Sequence, residues 1–169
     1  MTISMYKASI PVLSRNLNNL VGLLEKAASH AESKKIEAEV LPNFRLYPDM
    51  LPLIKQVQIA CDISKFGAAR LAGIEAPKFD DSEKNLAQLI ERCKQTIEFI
   101  NSVKPAAIDG SEEKDITIPM RAGPVHFKGL PYLLGFVIPN AFFHAATAYN
   151  ILRHNGVEIG KQDFLGKLA

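Results

Sequence analysis

Few residues in this chain have the types and spacing that chemistry needs, and most of them lie on two apolar helical segments. The first is the run VIPNAFFHAATAYN, residues 137–150. At about 100° per residue, Val137, Ala141, His144, Ala148 and Asn155 fall in one narrow arc, with Asn140 and Thr147 flanking His144 at i−4 and i+3. An imidazole on the inward face of a helix must find partners for its ring nitrogens. It is either a core histidine satisfied by a neighbouring helix or a water, or a metal ligand or acid–base group at the bottom of a pocket. Helical bundles build such sites between their helices. Burial without a negative partner lowers the pKa of such a group, and a nearby carboxylate, with Asp62 the first candidate, would raise it.

The second segment is QVQIACDIS, where Gln56, Gln58 and Asp62 interrupt an apolar run. A helical wheel puts Asp62 opposite the inner stripe. It is either exposed and paired with Lys55 or Lys65, or a buried acceptor held by another helix. Gln58, Asp62, Asn140, His144 and Thr147 form the candidate ligand-binding set. Of the remaining histidines, His154 falls in a last helical turn, where a partly cationic ring suits the dipole, and His30 and His126 read as surface residues. Cys61 and Cys93 lie among apolar neighbours and read as small buried hydrophobes rather than a disulfide. The sequence has no CxxC pair, no HExxH, no Gly-rich phosphate loop and no Gly-x-Ser-x-Gly elbow.

The elements that must position these residues follow from the helical period. Ile10, Leu13, Leu17, Leu20, Leu24 and Ala27 recur at steps of three and four. The stripes predict helices near residues 4–33, 50–72, 82–103 and 130–154. Pro11 kinks the first helix or marks a start at Ser9. Asp49 is expected to cap the second, with Pro52 in its first turn, and Ser82 to cap the third. Pro139 should bend the fourth, which Asn155-Gly156 closes. Between the third and fourth, residues 116–118 and 125–127 are β-prone around a Pro/Gly turn and predict a small hairpin. Phe164 and Leu165 should dock the tail. Phe142 and Phe143 are adjacent, so one of them is left for a neighbouring element or a second subunit.

At 169 residues the expectation is one domain over residues 1–169, an all-α four-helix bundle with a hairpin before the last helix. Twenty Lys and Arg against eighteen Asp and Glu leave a charge of +2, too little and too scattered to indicate a nucleic-acid partner. No uninterrupted apolar run approaches ~20 residues and the N-terminus lacks a signal-like segment. The expectation is a cytoplasmic protein with no membrane partner.

Two blocks, RLYPDMLPLIKQVQIACDISKFGAARLAG (residues 45–73) and LGFVIPNAFFHAATAYNILRHNGVEIGKQDFLG (residues 134–166), resemble a bacterial and fungal family of unknown function. That family is grouped with the DinB/YfiT-like metalloenzyme superfamily. The resemblance implies an up-down-down-up bundle, commonly a homodimer. It also implies a divalent metal such as zinc or nickel held by three histidines, one from the second helix in a His-aliphatic-Ala context and two from the fourth, about four residues apart. Carried onto this chain, those positions are Gln58, His144 and Ala148. One imidazole with an amide would bind such a metal far more weakly than three imidazoles, so no tight metal site is expected, with His144 and Gln58 the only weak candidates. Three functions stay open: a small-molecule-binding or stress-related protein with a degenerate metal site; an enzyme of hydrolase or transferase type using a remodelled site around His144; and a dimeric interaction module.

Overall fold

In the structure, a computed structural model that describes residues 3–120 and 122–167, the first helix, α1, runs Met5–Lys34. Ser4 caps it by accepting from the Lys7 amide, and Lys35 ends it in the left-handed conformation at φ 55°. Pro11 lies inside it, so the helix does not start at Ser9. After the short helix α2 (Val40–Asn43), α3 spans Leu53–Ala72. Its cap is Pro52 rather than the expected Asp49. The reason is local: the Leu53 amide is taken by the Phe44 carbonyl, and Arg45 gathers the Pro48 and Met50 carbonyls, which holds residues 44–52 as a loop.

Helix α4 spans Leu86–Ser102. Asn85, not Ser82, caps it, accepting from the Gln88 amide while the Gln88 side chain accepts from the Lys84 amide. Ser82 and Glu83 stay in the connector, where Glu83 is engaged by Arg92. A turn of helix, α5 (Pro105–Ile108), leads to the hairpin β1 (Asp115–Ile118) and β2 (Val125–Lys128), paired antiparallel with Asp115 opposite Lys128.

The last long helix comprises α6 (Gly129–Tyr132), a π-helical turn (Leu133–Val137) and α7 (Ile138–His154) without a break. The Ile138 amide reaches back five residues to the Leu133 carbonyl. This wide turn directly precedes Pro139, whose missing N–H would otherwise interrupt the ladder. Gly156, at φ 86°, ends the helix, and α8 (Lys161–Leu165) docks the tail on α1 through Asn19 and Arg15, which donate to the carbonyls of Phe164 and Leu165.

Contacts between the helices fix their directions. Gln56 meets His144 and Arg70 meets Tyr132, so α3 and the last helix are antiparallel. Glu25 meets Lys94, and the Tyr6 amide meets Asp109 just beyond α5, so α1 and α4 are antiparallel. Asn16 donates to the Ala141 carbonyl and His30 lies beside Gly156, so α1 and α7 run parallel. The course is up-down-down-up. Leu13, Leu17, Leu24, Val57, Leu89 and Leu152 are fully buried between the four helices, with the apolar transfer of each such side chain worth about 1.5–3 kcal/mol.

Candidate functional site

His144 does not lie at the centre of the buried arc. Ala141, Ala145, Ala148 and Leu152 occupy that line, and His144 stands beside it, half-buried. The wheel gives the direction of a side chain and not what covers it. At the level of His144, α3 is in its first turn, and the preceding loop residue Leu51 is 46% exposed.

The ring is nonetheless tightly held. Its Nδ1 is 2.7 Å from Oε1 of Gln56, and Nε2 of Gln56 donates to the Leu51 carbonyl at 3.0 Å. Because the Leu51 carbonyl oxygen can only accept, the amide orientation is set, and Gln56 Oε1 can only accept from His144. The proton is therefore on Nδ1. Burial lowers the His144 pKa below the ordinary imidazole value. The ring is a neutral Nδ1–H tautomer whose Nε2 lone pair has no hydrogen-bond partner among the described residues, and the Phe143 ring stands edge-on to it at 5.2 Å.

The rest of the candidate set does not join it. Asn140 donates to the Phe136 carbonyl at 2.6 Å and Thr147 to the Phe143 carbonyl at 2.8 Å, so both turn back onto their own helix. Gln58 lies on the other side of α3, where its Nε2 donates to Glu83 at 2.6 Å and its Oε1 is buried without a partner. Asp62 is neither free nor near His144. It binds Arg92 at 3.0 Å and Lys65 at 3.1 Å. Positions two apart on a helix point to nearly opposite faces, which separates Gln56, facing α7, from Gln58, facing α4.

This second cluster is structural in its geometry. The buried Arg92 also meets Asp81 at 3.1 Å and Glu83 at 2.9 Å, and Phe79 lies over the cations of Lys65 and Arg92. Together these contacts strap residues 79–83 across α3 and α4. Burial pushes the Glu83 carboxyl up, but the Arg92 guanidinium and the Gln58 amide outweigh it and hold it below the usual range.

Gln56 stood out in the sequence only as a polar interruption of its apolar run and was not in the candidate set. It lies three residues after Leu53 and four before Ala60, both on the inner stripe, and that spacing marks it as inward-facing. The superfamily metal triad is not formed. Gln58 is turned away, Ala148 carries no donor, and no group of three or more His, Cys, Asp or Glu side chains converges among the described residues. The residues present do not fit a tightly held divalent metal.

The architecture is that of a DinB-like helical bundle. The chain matches the model of a domain of unknown function, DUF1993, over residues 5–165, and it belongs to that family. It is similar to a crystallised DinB family member protein from Shewanella denitrificans, with 42% identity over 96% of this chain and 92% of that one and a TM-score of 0.90. No curated protein matches it.

Proposed function

We propose that this DinB-family protein is a metal-independent binding protein that recognises a small molecule through the neutral imidazole of His144. The observation that carries the reading is the one-sided ring: Nδ1 is committed to Gln56, while Nε2 is an unpaired acceptor at a half-open position beside Phe143. An uncharged ligand with a hydroxyl donor and an aromatic or apolar body fits that pairing of acceptor and ring face. Phenol is the simplest probe. Titrated into the ¹⁵N-histidine-labelled protein, it should shift the His144 Nε2 resonance saturably, and the response should vanish in His144→Ala. A resonance that does not move, or an identical phenol response elsewhere in His144→Ala, would remove the proposal. Binding and stress-related roles in a cytoplasmic setting are the context this reading suits.

A second reading has its own observation. Residues 129–152 contain no Asp, Glu, Lys or Arg, although one face of this helix points outward. Leu134 is 52% exposed and Phe143 58%. By length and composition alone the 26-residue helix Gly129–His154 is apolar enough to cross a membrane, yet it packs against α1 and α3 in the bundle. A second copy of the chain suits this face: two uncharged surfaces need no charge matching, and a two-fold contact pairs each with itself. A helix of that length is about 39 Å long, so with Phe142 and Leu165 at its flank it supplies the centre of an interface of about 800 Å² per partner. Light scattering should give twice 18.6 kDa, and Phe143→Lys should give the monomer. A monomer at all concentrations would exclude the homodimer, and association with lipid vesicles instead would assign the face to a membrane.

A further inference from the structure

The only two cysteines of the chain face each other. Cys61 on α3 and Cys93 on α4 are both free and both fully buried, with their sulfurs 3.6 Å apart. Neither takes part in the His144 site. Their surroundings are small: Ala60 and Ser64 on α3 and Thr96 on α4 are fully buried within one turn of them. Directly above lies the Arg92 strap, which ties Asp62, next to Cys61, to the residue before Cys93.

We infer that Cys61 and Cys93 form a dithiol that oxidation converts to an intramolecular disulfide, a covalent link between the two parallel helices α3 and α4. A disulfide needs its sulfurs at about 2.05 Å, so the two must approach by about 1.5 Å. Side-chain rotation and a small shift of the helices across Ala60 and Ser64 supply that movement. The oxidant is a peroxide. One thiol, as thiolate, attacks a peroxide oxygen; the O–O bond breaks, water leaves after taking up a proton, and a sulfenic acid remains. The second sulfur attacks the first, the S–S bond forms as the S–O bond breaks, and the departing hydroxide takes the remaining thiol proton as a second water. Two electrons pass from the sulfurs to the peroxide.

The closed bundle restrains this reaction. The hydrogen bond with Cys61 and burial push the Cys93 thiol well above its ordinary pKa, although Arg92 pulls the other way. Peroxide therefore reacts only when α3 and α4 part, which makes the reaction follow local opening rather than bulk oxidant alone.

The test uses the full chain with hydrogen peroxide at neutral pH, with and without a urea concentration below the unfolding midpoint. Intact mass should fall by two hydrogens, faster in urea, with a compact band on a non-reducing gel and no thiol left for iodoacetamide. Cys61→Ser should lose the mass change. The oxidised protein should melt roughly 5–15 °C above the reduced one, since the link closes a loop of about thirty residues. Full alkylation after peroxide, oxygen adducts in place of the two-hydrogen loss, disulfide-linked dimers, or an oxidised form that melts lower would each overturn the inference.

Discussion

Because an amide oxygen only accepts, the contact between Gln56 and His144 places the imidazole proton on Nδ1, and replacing Gln56 changes His144 in a direction that can be forecast. Gln56→Glu keeps the shape and puts a carboxylate beside Nδ1. It should raise the His144 pKa above that of the wild type, and by reversing the effect of burial carry it past about 6.5. A histidine titration followed by NMR checks this; an unchanged or lower value would show that Gln56 does not face the ring. His144→Ala leaves the acceptor of the buried Gln56 without a protein partner. Urea unfolding should show a loss of roughly 1–3 kcal/mol. Wild-type stability would mean that the hydrogen bond contributes nothing. His144 was legible from the sequence as an imidazole on the buried side of its helix. The direction of its pKa shift was not, because it turns on Asp62, which Arg92 and Lys65 hold elsewhere. Nor was its half-exposure, because periodicity gives a direction and the length of the facing helix decides the cover.

Helix α3 approaches the last helix where Gly67 meets Val137. A Cβ on Gly67 would stand 2.6 Å from Val137 Cγ1, and Val137 ends the π-helical turn on a branched side chain with little freedom to move. Gly67→Ala gains about 1 kcal/mol of helix propensity but overpacks by roughly 1–3 kcal/mol. The melting temperature should fall, and Gly67→Ala with Val137→Ala should recover part of the loss. A more stable Gly67→Ala would show that the two helices separate freely. On the opposite side of α3, Arg92→Met removes the cation shared by Asp62, Asp81 and Glu83, and should cost roughly 3 kcal/mol in urea unfolding. No loss would mean that the strap is not held by charge. The stripes of Leu and Ile placed the four long helices within a few residues, and the β-prone runs placed the hairpin. The caps were less readable. Ser82 and Asn85 are equally good caps, and the choice between them rests on the long-range tie from Glu83 to Arg92. Likewise Pro139 announced a bend, but the wide turn that absorbs it depends on the Ile138 amide reaching Leu133.

For the molecule as a whole, acid should act in two stages. His144 has a lowered pKa in the folded state, so the unfolded chain binds the extra proton, and the stability it contributes is complete above about 6.5 and falls as pH drops towards its folded pKa. Glu83 and Asp81, held low against the effect of burial, and Asp163, held low by Lys26 and the Gly160 amide, contribute stability above their ordinary pKa values. That contribution is lost as pH falls through their folded ones. Thermal melts across this range should show both declines in the wild type and only the second in His144→Gln; a single acid transition unaffected by that substitution would contradict the assignment. The proposed metal-independent binding requires that His144 be a neutral imidazole with a bare Nε2. Long-range ¹H–¹⁵N correlation spectra of the ¹⁵N-labelled protein, purified without chelator and recorded from about pH 5 to 8, test it most directly. They should show a protonated Nδ1, an unprotonated and unligated Nε2 that a chelator leaves unchanged, and a midpoint below about 6.5. A proton on Nε2, a midpoint above that value, or an Nε2 signal that moves when chelator strips a bound metal would contradict it.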